Sequence, residues 1–183
     1  MSALDVWHFA ADLLDAAVDA LDLLPAEDTT LEGAPERAYV SPGLPALDCA
    51  QVVVWVAQAF EAGTDLPGGP AELAQGVRAR TARVNMVTYR LQIARCAPTP
   101  TASGSRIRMP SVDGLEAASR QQAADLWVLW CGLHWAARDG LIGAECSSIV
   151  LPPAQPLDPS GGYVGWTLTV MAQQDGYRPA VTS

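Results

Sequence analysis

The chain has 183 residues, half of them hydrophobic, enough to bury about two-thirds of its unfolded surface, so one domain over residues 1–183 is expected. Its longest uninterrupted apolar run, Leu126 to Leu133, falls far short of the roughly 20 residues that cross a bilayer, so no membrane span is expected. The formal charge of −9 is uneven: residues 1–36 hold nine acids and no base, and the rest holds eleven acids and eleven arginines, a balance that opposes coating DNA.

No basic residue precedes Arg37, so the N-terminal stretch lacks the pattern of a secretory signal and a cytoplasmic setting is expected. Four cysteines, at 49, 96, 131 and 146, show no close CxxC spacing and so no zinc framework. In a reducing compartment they are expected to be free, buried thiols packing as small hydrophobes, with a disulfide between two of them as the alternative.

In chain order, residues 3–24 place Asp5, Asp12, Asp15, Asp19 and Asp22 within about a 100° arc at helical pitch, with Phe9, Leu13, Leu14, Val18 and Leu21 largely elsewhere. This predicts an amphipathic helix over 1–24, capped by Ser2 and ended by Pro25. Residues 25–35 read as a connector. "ERAYVS" and "DCAQVVVWVAQAF" read as strands joined by a turn through "PGLPAL", with a helix from Asp48 as the competing assignment. Residues 61–83 form a long loop or arm. "VNMVTYRLQIARC" is the clearest strand, with Val87, Tyr89, Leu91 and Ile93 facing a core and Thr88, Arg90 and Gln92 facing water. Residues 97–111, with three prolines and two arginines, make a second long loop.

A helix then runs from about Leu115 to Asp139, with Gly140 ending it. Its seam is expected at Leu115, Ala118, Leu126, Leu129, Trp130, Leu133 and Ala137. Trp127, Cys131 and His134 flank that seam, and Trp135 lies nearly opposite it. The second half is apolar almost all round, which calls for a second layer or a neighbouring chain. Residues 145–151 and 163–173 form a hairpin around a Pro- and Gly-rich turn. The fold class is α+β: one mostly antiparallel or mixed sheet packed by two helices, in the order α-β-β-β-α-β-β, with long loops.

Cys131 and His134 could share a metal, but a site needs further ligands and none stands at a recognisable spacing. As a nucleophile pair they would need a third, orienting group, and neither Asp125 nor Arg138 completes a known arrangement. Core or interface packing is the simpler reading. The chain holds no GxxxxGK[ST], GxGxxG, GxSxG or HExxH sequence, so no catalytic residue, metal ligand or cofactor is assigned. Residues 78–120 carry eight arginines against Asp113 and Glu116, and no aromatic residue is interleaved among Arg78, Arg80, Arg83, Arg106 and Arg108. A protein-facing basic patch is the better reading.

The acidic helix, "DCAQVVVWVAQAF", "MVTYRLQIARC", "QQAADLWVLWCGLHWAARDG" and "PLDPSGGYVGWTLTVMAQQDGY" together resemble the tail terminator proteins of long-tailed siphophages, notably those of actinobacteria. The resemblance is strongest from about residue 84 to 177. It implies a non-enzymatic virion protein, assembled in the host cytoplasm, that forms a ring, usually hexameric, at the head-proximal end of the tail. Such a ring caps the tube when the tape measure protein runs out, stops polymerisation and joins the head connector or closure protein, while genomic DNA passes through without specific binding. A head-tail connector or head closure subunit is the alternative, and a small Cys/His enzyme a remote one. Candidate interface residues are Arg78, Arg80, Arg83, Arg106, Arg108, Trp127, Trp135, Asp12, Asp15 and Asp19.

Overall fold

The computed structural model describes residues 3–46, 48–62, 84–103, 106–143, 146–157 and 162–174. The elements are α1 (Ala3–Leu21), α2 (Leu24–Glu27), β1 (Arg37–Ser41), β2 (Gln51–Ala62), β3 (Val84–Cys96), β4 (Thr101–Ser103), β5 (Arg106–Arg108), α3 (Val112–Arg138), β6 (Cys146–Val150), β7 (Gln155–Pro156) and β8 (Tyr163–Gln174). The fold is α+β, with two long helices against a mixed sheet in the order β1-β2-β3-β8-β6; β7 also pairs with β8. Two small features depart from the expected element order. Pro25 does not cap α1 directly but lies in the first turn of α2, where its missing N–H costs nothing. Within residues 97–111, β4 and β5 pair as a separate two-stranded arm. The expected cap at Ser2 and most of the expected loop at 61–83 lie outside the described residues.

The strand pairings follow the alternation. β3 lies at the centre, antiparallel to β2 and β8, with Leu91 opposite Val54 and Leu168. Val52, Val54, Val87, Tyr89, Leu91, Ile93, Leu168 and Val170 are fully or nearly fully buried on the helix-covered face, where each such side chain stabilises by about 1.5–3 kcal/mol. Phe9 of α1 stacks on Tyr89 with ring centroids 4.5 Å apart.

Two expectations about the sheet require correction. The segment 42–50 is not a hairpin turn. β1 runs parallel to β2, with Arg37 opposite Gln51 and Ser41 opposite Trp55, so the chain must travel back along the strand before β2 begins. Two-residue hairpin loops join only antiparallel strands, and the proline-interrupted 42–50 segment is long enough to return. The second face of the sheet is not uniformly wet either. Arg90 is exposed, but Gln92, Val53 and Trp55 are buried. Gln92 stands opposite Val53 and diagonal to Trp55, within reach of the indole.

α3 begins where Ser111 Oγ accepts from the Gly114 amide at 3.1 Å and ends at Asp139, with Gly140 at φ +73°. Its buried line is Gln121, Asp125, Leu129, Leu133 and Ala136. The expected seam therefore holds at Leu129 and Leu133 but is rotated elsewhere: Leu115 is exposed and Trp130 only half-buried. The rotation has two causes. Asp125 and Gln121 are drawn inward by a polar cluster, and Gly132 meets α1 closely enough that a Cβ there would stand 2.5 Å from the Ala20 methyl. Trp166 of β8 donates its Nε1–H to the Gln122 carbonyl at 2.8 Å, which holds the helix on the sheet.

Cys49 and Cys96 form a disulfide, contrary to the expected free thiols. The β2–β3 register, which puts Gln51 opposite Ala94, continues two residues outward to bring the two cysteines together. Cys131 is a free, half-buried thiol.

Candidate interaction surfaces

α1 turns its apolar side, Phe9, Ala10, Leu13, Leu14, Ala17, Ala20 and Leu21, into the core. The 3.6-residue period then sets Asp12, Asp15 and Asp19 on the opposite, exposed side. None of the three makes an ion pair among the described residues. Asp22 is committed within the chain, since its Oδ1 accepts from the Ala34 amide at 2.9 Å.

The outer side of α3 carries Trp127, 70% exposed, and Trp135, 59% exposed, two turns apart and separated by Cys131. Arg138 lies over the Trp135 ring at 4.3 Å, and the exposed His134 ring meets Trp130 edge-on at 4.6 Å. His134 is therefore engaged with an indole. No hydrogen bond joins it to Cys131 among the described residues, and no group of three or more His, Cys, Asp or Glu there is placed to hold a metal ion. No helix of the described residues is long and apolar enough to cross a membrane.

The β4–β5 arm is the third surface. Arg106, Ile107 and Arg108 are all exposed, and exposed apolar side chains continue through Met109 and Val112 into the start of α3. Alternation puts Arg106 and Arg108 on one side of the arm and Ile107 on the other. Neither arginine finds an acid in its own chain among the described residues. Among the described residues, Arg106, Arg108, Asp12, Asp15 and Asp19 are each exposed, and none of them makes an ion pair. Arg78, Arg80 and Arg83 lie outside the described residues.

One polar cluster escaped the reading of the sequence. Arg95, at the end of the core face of β3, donates Nε–H to Asp125 Oδ2 at 2.9 Å and Nη2–H to Oδ1 at 2.8 Å. Its Nη2 also donates to the Gly33 carbonyl at 2.8 Å, and its Nη1 reaches Glu32 Oε2 at 3.2 Å. Gln121 donates to Asp125 Oδ1 and exchanges two hydrogen bonds with the Glu32 backbone. The cluster ties the 25–35 connector to the joint between β3 and α3. The available signal was Asp125 itself, a carboxylate at the edge of an apolar helical run, one turn from Gln121.

Beside this joint lies a cleft of about 210 Å³ lined by Thr30, Leu31, Asp113, Glu116, Ala117 and Arg120. It is smaller than the roughly 300 Å³ at which small-molecule pockets begin. Nearby, Asp28 accepts from the Thr30 hydroxyl and amide, and these bonds hold its carboxyl below its ordinary value.

The fold and its surfaces define a class: an α+β protein in which, among the described residues, exposed charges without an ion-pair partner and exposed tryptophans lie on the outer sides of its elements. No known protein family matches the chain, and no curated protein matches it.

Proposed function

We propose that this chain is a tail terminator, a ring-forming structural protein that caps a siphophage tail tube, ends its polymerisation and presents its other side to the head connector. The observation that carries the reading is the exposure of Trp127 and Trp135 on one helix. Two indoles left largely in water on the outer side of a helix whose inner side packs on the core mark a surface suited to another protein. Arg106 and Arg108 of the arm and Asp12, Asp15 and Asp19 of α1, none of which makes an ion pair among the described residues, support it, because opposite charges on different elements of one subunit favour head-to-tail association over face-to-face pairing. An acidic inner wall in such a ring would let DNA pass without sticking, since carboxylate and phosphate repel.

The test is the mass of the purified protein by light scattering, alone and after mixing with tail tube subunits from the same source. A ring, or a monomer that becomes a tube-bound ring and shortens the tubes, is the expected result. A monomer indifferent to tubes overturns the reading, and binding to portal or adaptor rings instead would assign the chain to the neck as a connector.

A further inference from the structure

Two exposed charged surfaces of opposite sign, Arg106 and Arg108 on the arm and Asp12, Asp15 and Asp19 on α1, make no ion pair among the described residues. On the arm, Arg106 and Arg108 stand on one side of β5, and the residues opposite them, Ser103 and Thr101, carry no charge. Residues two apart on a strand are separated by about 7 Å. On α1, the exposed Asp15 and Asp19 are one turn apart, about 6 Å along the axis, with Asp12 beside them. The two spacings agree, so a strand laid along the helix can pair both guanidinium groups with carboxylates at once.

From this match we propose that the β4–β5 arm of one copy docks on the acidic side of α1 of a second copy, with Arg106 and Arg108 paired to Asp15 and Asp19. The inference deepens the ring-forming role proposed above and rests on it. The contact is heterologous: each copy that gives its arm keeps a free acidic helix, and each that gives its helix keeps a free arm. Repetition therefore closes into a ring or extends as a chain. It also gives the arm a reason to be ordered, since a two-stranded hairpin alone is marginally stable in water. Asp22 is occupied by the Ala34 amide, and the exposed His8 is the only other titratable group on the outer side of α1 between Asp5 and Asp22.

Single exposed ion pairs are weak, so the test reverses both charges at once. Two full-length variants are made, R106E/R108E and D15R/D19R. All four positions are exposed, and circular dichroism and thermal melting are expected to match the parent. Sedimentation at low salt should show self-association of each variant weakened about tenfold. Mixing the two variants in equal amounts should restore it, because the acidic arm of R106E/R108E then meets the basic helix of D15R/D19R, and the basic arm of D15R/D19R meets the acidic helix of R106E/R108E. Variants that associate like the parent, or a mixture that stays dissociated, overturn the contact. So does a parent chain that remains monomeric at every concentration, with and without tubes. The terminator reading is tested separately: variants that still assemble and shorten tubes would sink this contact and leave that reading standing. Loss of tube capping with unchanged self-association would move the arm to the tube and likewise overturn the contact.

Discussion

Asp125 is fully buried, between Gln121 one turn before it and Leu129 one turn after it on the inner side of α3. It survives there because both carboxylate oxygens are occupied, by the Arg95 guanidinium in two bonds and by Gln121 in a third. Replacing one member of such a pair strands the other without water, which costs about 3–5 kcal/mol, whereas replacing both with apolar groups of similar size costs far less. We expect Asp125→Leu to lose about that amount in urea denaturation. Combining it with Arg95→Met should recover most of the loss. A single variant as stable as the parent would mean that the pair contributes little. Gly132 makes a simpler point at the same scale: there α3 approaches Ala20 of α1 so closely that a Cβ would clash, and it leaves room only because it has no side chain.

Among the elements, β2 and β3 form a long antiparallel pair, and the Cys49–Cys96 disulfide closes its end. The bridge joins residues 47 apart in sequence, and a loop of that length restricts the unfolded chain by about 4 kcal/mol in the chain-entropy account. Reduction should therefore lower the midpoint of chemical denaturation without changing the fold, and Cys49→Ser should do the same. Thiol titration of the denatured protein should find two fewer free thiols before reduction than after it. Equal counts would remove the bridge. The arm contrasts with this pair. It pairs only with itself, so its order depends on what it touches more than on what it contains.

For the molecule as a whole, the buried cluster between two helices and the sheet supplies stability, while the outer sides are left for contacts. These roles can be separated by experiment. Trp127→Ser with Trp135→Ser removes two exposed indoles, and substitutions at such positions change stability by within about 0.5 kcal/mol each. We expect the double variant to melt close to the parent but to assemble poorly and to leave tubes uncapped. Full assembly by the variant would show that the tryptophan side of α3 is not an interface. The charge distribution acts at the same scale: residues 1–36 hold nine acids and no base, and Asp12, Asp15 and Asp19 among them are exposed on α1.

What the sequence by itself determined was periodic. The two-residue alternation in β3 and the 3.6-residue patterns of α1 and α3 identified these elements, the core residues Tyr89, Leu91, Ile93, Leu129 and Leu133, and the exposed aspartates, because each pattern is written within a few neighbouring positions. The exposure of Trp127 and Trp135 was legible for the same reason, from an apolar surface wider than one seam. Only the tertiary structure decided which distant residues meet. The parallel pairing of β1 with β2, the Cys49–Cys96 bridge, the burial of Gln92 beside Val53 and the Arg95–Asp125 pair all join positions that no local period connects. The last of these rotated α3 away from the seam its leucines and Trp130 suggested, because a buried carboxylate must face its guanidinium, and satisfying that charge outweighs burying one more apolar side chain.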